Sequence, residues 1–144
     1  MLIGFALMVL WSFAVSAARA NSPMATLSFA GDRTFGTVNG DNSSVRFPAV
    51  YRRSGVMDYP FALVKRYFDN SDLSVVNFEC TLTRASYIAD KQWYFKGDAG
   101  FASIFPSGGI GAVSLANNQS FDDSQPGIDD TVSNVKKAHV PKFY

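Results

Sequence analysis

The chain has 144 residues, a length that suits one domain or part of one. It is 47% hydrophobic and 15% aromatic, which is enough apolar material for a folded core and excludes disorder throughout. The net charge is +1 with no long run of basic residues, so the electrostatic footprint of a nucleic-acid-binding protein is absent, and the single cysteine excludes an internal disulfide.

The first 20 residues have the pattern of an export signal. Residues Leu2 to Val15 are almost wholly apolar, and Ala18-Arg19-Ala20 resembles an A-x-A cleavage site. The apolar stretch is also close to the length that spans a membrane, and a buried core helix is the third reading. We therefore predict a signal peptide or membrane anchor over residues 1–20, a domain over residues 21–144, and an exported protein of the cell envelope.

The next segments predict a parallel crossover. Leu27–Ala30 is strand-like, residues 33–56 are rich in turn-forming residues and predict a loop, and Tyr59-Pro60 can begin a helix capped by Asp58. Leu73–Val76 is a second strand-like run. A strand, a loop, a helix and a strand in this order favour two parallel neighbours in one sheet.

The remaining chain adds three kinds of prediction: strands, helices and surface charge. The sequence predicts a polar loop at residues 81–91 and then a short aromatic strand at Trp93-Tyr94-Phe95 with its side chains in the core. A helix is predicted after Asp98 and a strand at residues 110–116. A helix at residues 128–138 and a further strand beginning at Val140 complete the predicted elements. Asp122-Asp123 and Asp129-Asp130 predict solvated loop and helix-start charges. Because the chain stops at the start of that last strand, the α/β fold is expected to be incomplete at its C-terminus.

Polar side chains follow each of the three apolar strand runs. Asp32 follows the first, Asn77 and Glu79 follow the second, and Asn117-Asn118-Gln119 follows the third. In open α/β sheets ligands bind beyond the carboxyl ends of the strands, so one site built from distant segments is expected. Carboxylate and amide oxygens suit hard divalent ions such as Mg²⁺ or Mn²⁺. The alternative for each cluster is a local turn or a contact with loop backbone.

Four longer segments around these clusters resemble a known family. They are Phe29-Ala30-Gly31-Asp32, Tyr59-Pro60-Phe61, Asp72-Leu73-Ser74-Val75-Val76-Asn77-Phe78-Glu79 and Val113-Ser114-Leu115-Ala116-Asn117-Asn118. Their order and spacing are similar to those of the bacterial capsule-synthesis CapA family, which is linked to poly-γ-glutamate capsule synthesis. Lys96-Gly97-Asp98 and residues 127–131 resemble its connecting segments. The resemblance covers residues 27–143.

The resemblance implies a metallophosphoesterase-like fold, with stacked β-sheets flanked by helices and one cleft at the strand ends. It implies a divalent metal, Mn or Mg, and an anionic polymer such as poly-γ-glutamate or capsule-synthesis membrane proteins as partners. The implied metal ligands are Asp32, Glu79 and Asn118, and the implied substrate-orienting or ligand-orienting residues are Asn77, Asn117 and Gln119.

The chain also departs from the family pattern. Gln119 occupies a position where the family has a histidine, and glutamine is neither a general acid or base nor a good transition-metal ligand. The family's later histidine motifs would lie beyond Tyr144, and His139 predicts a helix-to-strand turn. Three hypotheses therefore stay open: a metal-dependent capsule-synthesis protein, a non-catalytic envelope component that binds polymer or partner proteins, and an inactive fragment of the family.

Overall fold

The computed structural model of the protein describes residues 24–86 and 90–144. The predicted signal peptide or anchor over residues 1–20 lies outside these ranges. Within them, no helix is both long enough and apolar enough to cross a membrane.

The described residues form seven β-strands and four α-helices. In chain order these are β1 (Leu27–Arg33), β2 (Gly36–Val38), α1 (Phe47–Ser54), α2 (Lys65–Asp69), β3 (Leu73–Phe78), β4 (Thr81–Leu82), β5 (Phe95–Gly97), α3 (Ile104–Ser107), β6 (Ala112–Ser114), α4 (Ser124–Lys137) and β7 (Lys142–Phe143). Short 3₁₀ helices lie at Tyr59–Phe61 and Ala99–Ser103. The prediction of a mixed α/β fold is confirmed.

One sheet is entirely parallel and carries the three predicted strand runs. Its strand order is β1-β3-β6-β7. Phe29 pairs with Val75, and Val76 pairs with Val113, so the carboxyl ends of β1, β3 and β6 lie at the same edge. The parallel crossover predicted between the first two strands is therefore confirmed.

A second, three-stranded sheet has the order β2-β5-β4. Strand β5 is antiparallel to β2 and parallel to β4. A single hydrophobic core joins the two sheets, because Val76 and Val113 of the parallel sheet belong to the same buried cluster as Leu82 of the mixed sheet. Helix α4 packs on β4 and closes one side of this core.

Phenylalanine rings form the centre of the core. Phe35, Phe61, Phe78 and Phe105 are all at most 2% exposed. The ring of Phe105 lies 5.0 Å from those of both Phe35 and Phe78, in tilted and edge-to-face arrangements. Such pairs add to the free energy gained from burying apolar area. The core therefore fixes residues 33–36 against the end of β3, next to the strand-end clusters.

Several element boundaries differ from the predictions. The predicted loop over residues 33–56 contains β2 and α1. The turn-forming residues around these short elements hid them, and β2 is stabilised by pairing with β5, which is distant in the sequence. The helix predicted from Tyr59 is split into a 3₁₀ turn and α2. Helix α4 begins at Ser124 rather than at residue 128, with Pro126 in its first turn where proline is tolerated.

Candidate functional site

Three strand ends meet through one chain of side-chain hydrogen bonds. The Nδ2 of Asn77 donates to Oδ1 of Asp32 at 2.7 Å, and the Nδ2 of Asn117 donates to Oδ1 of Asn77 at 3.0 Å. These residues come from β1, β3 and the segment after β6, and the parallel register brings those ends together. The amide of Asn77 therefore sets the orientation of the Asp32 carboxylate.

Asn117 pins the loop that follows β6. Its Nδ2 also donates to the backbone oxygen of Phe78 at 2.9 Å, while its Oδ1 accepts from the backbone N–H of Gln119 at 3.0 Å and from the Ser120 hydroxyl at 3.2 Å. The side chain thus ties this loop to the end of β3. This is the local, backbone-binding reading that the sequence left open for Asn117.

Glu79 is held beside Asp32 by backbone contacts. Its N–H donates to the backbone oxygen of Arg33 at 3.0 Å, and its carbonyl oxygen accepts from the Thr34 hydroxyl at 3.3 Å. The carboxyl groups of Asp32 and Glu79 are close enough for each to shift the pKa of the other. The two acids of the strand ends therefore form one pair.

The two carboxyl groups of this pair titrate in opposite directions. Burial, followed by the hydrogen bond and negative charge of Asp32, raises the pKa of Glu79. Hydrogen bonds from Asn77 and Glu79 lower the pKa of Asp32. Two charged carboxylates repel each other, so Asp32 ionises at a lower pH than Glu79.

The loop residues Asn118 and Gln119 are held by a lysine that the sequence interpretation missed. The Nζ of Lys91 donates to the backbone oxygen of Asn118 at 2.8 Å and to Oε1 of Gln119 at 2.6 Å. Gln119 is buried and Asn118 is exposed. The side-chain oxygen of Gln119 is therefore bound to an ammonium group, at the position where the family pattern has an imidazole.

Lys91 also pairs with a buried carboxylate. Its Nζ contacts Oδ1 of Asp122, which is fully buried, and Oδ2 of Asp122 accepts from the backbone N–H of Phe95 at 2.7 Å. Burial raises the pKa of Asp122, and the hydrogen bond from Lys91 opposes that rise. Lys91 thus links the Gln119 loop to the core beneath it.

The prediction that Asp122 and Asp123 are solvated is wrong. Both are fully buried, and Asp123 pairs with Nζ of Lys96 at 2.7 Å and accepts from the Thr81 hydroxyl. Two lysines far away in the sequence supply the compensating charges, which no local pattern reveals. Asp129 and Asp130 are exposed as predicted, but α4 begins at Ser124, so they lie in its second turn and the prediction of helix-start charges is wrong.

Three other side chains are placed away from this site or have no reactive character. Trp93 is 53% exposed, so its predicted place in the core is wrong, although Phe95 does pack against the core. Cys80 is fully buried, and burial strongly raises the pKa of its thiol, as expected for an inert thiol. His139 is exposed, with a φ of 58°, in the turn between α4 and β7.

The donor set of this site suits a hard, hydrated cation better than a transition metal. Within residues 24–86 and 90–144, no three His, Cys, Asp or Glu side chains are grouped so that they could hold a metal ion. The Asp32–Glu79 pair supplies two carboxylates, and Mg²⁺ commonly binds through one or two carboxylates while keeping several waters. The roles of Asp32, Glu79 and Asn118 as ligands stay a prediction.

A comparison with protein families gives one match. The family model described as bacterial capsule synthesis protein PGA_cap matches residues 26–143, which is well over half of the chain. No curated protein matches the sequence. The matched range includes all the strand-end residues described above.

Proposed function

The chain belongs to the family of bacterial capsule synthesis proteins, and from this membership we propose that it binds a divalent cation and an anionic capsule polymer in the cell envelope. The proposed cation site is the Asp32–Glu79 pair at the edge of the parallel sheet. The proposed polymer is poly-γ-glutamate or related capsule material, and capsule-synthesis membrane proteins are the proposed protein partners.

The observation that carries this proposal is the hydrogen-bonded convergence of Asp32, Asn77 and Asn117 at the ends of neighbouring strands, with Glu79 tied by its backbone to Arg33. The pKa of Glu79 is raised by burial and by the neighbouring Asp32 carboxyl group, so two acidic groups affect each other at this edge of the sheet. A divalent cation placed between them would offset their mutual repulsion and favour the ionised form of both groups. This acidic pair lies at the carboxyl ends of parallel strands, which is where α/β proteins bind their ligands.

The surrounding residues have separate proposed roles. Asn77 orients the Asp32 carboxylate, and Asn117 holds Asn77 in place while tying down its own loop. Asn118 is the remaining candidate ligand, because its side chain belongs to an exposed residue of the same loop. A bound metal of this type would polarise a phosphoryl or carbonyl oxygen and lower the pKa of a bound water.

Calorimetric titration with Mn²⁺ and Mg²⁺ tests the proposal. We expect binding to the wild type and at least about tenfold weaker binding to Asp32→Asn. Replacing a residue that only hydrogen-bonds to a metal ligand already weakens metal affinity by about that factor. Asp129→Asn is the matched control, because Asp129 is an exposed acid on α4 that hydrogen-bonds only locally to Gln125 at 2.8 Å. No binding to the wild type, or equal loss in both variants, would contradict the cation site.

A second candidate function is a non-catalytic component that binds polymer or partner proteins through the same strand-end surface. The contact between Lys91 and Oε1 of Gln119 favours it, because this oxygen already accepts a hydrogen bond from the lysine ammonium group. Gln119→His separates the two functions. New affinity for Mn²⁺ in this variant would support a metal-dependent relative that lacks one ligand, and unchanged affinity would support the binding component.

A further inference from the structure

A cavity separate from the strand-end cluster has a cationic lining. It encloses about 300 Å³ between α1, the segment after β4, and β5. Arg52, Arg84 and Lys96 line it, and Asp98 is the carboxylate among its described lining residues. None of Asp32, Asn77, Glu79 or Asn117 contributes to it, so whatever it binds is distinct from the proposed cation.

Some of the charged residues that line this cavity have partners within the described part of the chain, and others do not. Lys96 is paired with the buried Asp123, and Asp98 caps the following 3₁₀ helix by accepting from the N–H of Gly100 at 2.9 Å. Arg52 and Arg84 are exposed, and among the described residues neither forms an ion pair with a carboxylate. Two arginines without a described carboxylate partner therefore line this cavity.

The two arginines come from different elements and converge on one concave surface. Arg52 lies in the last turn of α1, and Arg84 follows β4. Like charges that face a common cavity repel each other unless an anion lies between them, and guanidinium forks match the planar oxygens of carboxylate and phosphate groups. We propose that this cavity binds an oxyanion, carried either as a phosphate or as a carboxylate group.

The position of Arg53 supplies a matched control. Arg52 and Arg53 both lie in the last turn of α1, where any cation interacts favourably with the helix dipole. Only Arg52 of the two lines the cavity. A difference between variants at these neighbouring positions therefore reports the cavity rather than the helix or the overall charge.

Titration of the protein with inorganic phosphate and, separately, with succinate at low ionic strength tests the proposal. We expect Arg52→Gln and Arg84→Gln each to weaken binding by about tenfold, the usual size of a lost charge-assisted hydrogen bond, and Arg53→Gln to leave it within about twofold. Tighter binding of phosphate or of succinate would identify the group recognised, and either result supports the site.

Three results would overturn the oxyanion site. They are no binding of either anion by the wild type, equal weakening by Arg53→Gln, and loss of binding in Asp32→Asn without metal. The last result would place the anion at the strand-end cluster instead. A failure of the proposed cation site leaves the comparison of the arginine variants unaffected, because those titrations contain no metal and those variants keep both residues of the Asp32–Glu79 pair.

Discussion

Replacing Lys91 by methionine should destabilise the protein markedly, because it leaves Asp122 buried without its cation. Asp122 is fully buried, whereas the side chain of Lys91 is 29% exposed. Breaking a buried ion pair by removing one partner costs about 3–5 kcal/mol. Because Lys91 is partly solvated, we expect a somewhat smaller loss, about 2–4 kcal/mol. The contacts of Lys91 with Gln119 and with the backbone of Asn118 would be lost at the same time.

Urea unfolding of the wild type and the variant measures this loss, provided that the transition is two-state. Lys65→Met is the matched control. Lys65 forms an exposed pair with Asp69 one helical turn away, which should be worth about 0.3–0.5 kcal/mol. A loss in Lys91→Met no larger than that of the control would refute the argument that the Asp122 charge depends on Lys91.

The pH dependence of the Lys91→Met effect gives an independent check. Burial raises the pKa of Asp122, and Lys91 opposes this, so removing Lys91 should raise that pKa further. A group whose pKa is raised by folding destabilises the protein as the pH increases through that pKa. The loss caused by Lys91→Met should therefore be larger at about pH 7.5 than at about pH 4, where a protonated Asp122 needs no cation. A loss that is independent of pH would contradict an electrostatic cause.

Two further predictions concern the acid pair and the core. Glu79 has a pKa raised above its ordinary value of 4.5, so Glu79→Gln, which resembles the protonated acid, should match the wild type in acid and become relatively more stable as the pH rises through the folded pKa. Urea midpoints measured across this pH range would contradict the prediction if the variant became relatively less stable. In Gly108→Ala the new Cβ would lie 2.2 Å from Cδ2 of the buried Phe61, so we expect the free energy of unfolding to fall by about 1–3 kcal/mol. Gly31→Ala serves as the control in thermal unfolding, because its new Cβ would have nothing within 4 Å. Equal effects of the two glycine substitutions would show that the core around Phe61 yields to the added methyl group.

The strand ends that carry the candidate site could be predicted from the sequence. The apolar runs at residues 27–30, 73–76 and 110–116 are interrupted by polar residues at their carboxyl ends, and parallel strands place those ends at one edge. The ordered motifs also indicated the family that matches residues 26–143. These features are local in the chain, so a pattern of a few residues contains them.

The partners of these residues were decided only by the tertiary structure. Lys91 reaches Gln119 and Asp122 across about thirty residues of sequence, and Lys96 reaches Asp123 across a similar separation. A carboxylate can be buried only where a cation or hydrogen-bond donor meets it, and nothing in the neighbouring sequence specifies that partner.

The same reason accounts for β2 and α1, which lie in a stretch that resembles a loop. Strand β2 forms because β5, almost sixty residues later, pairs with it, and three residues alone are too short a pattern to predict that pairing. The sequence by itself therefore determined the parallel strands, the polar residues at their ends and the family. The folded chain decided which charges are buried, which lysine binds Gln119, and which acid lies near Asp32, because those properties depend on contacts between distant segments.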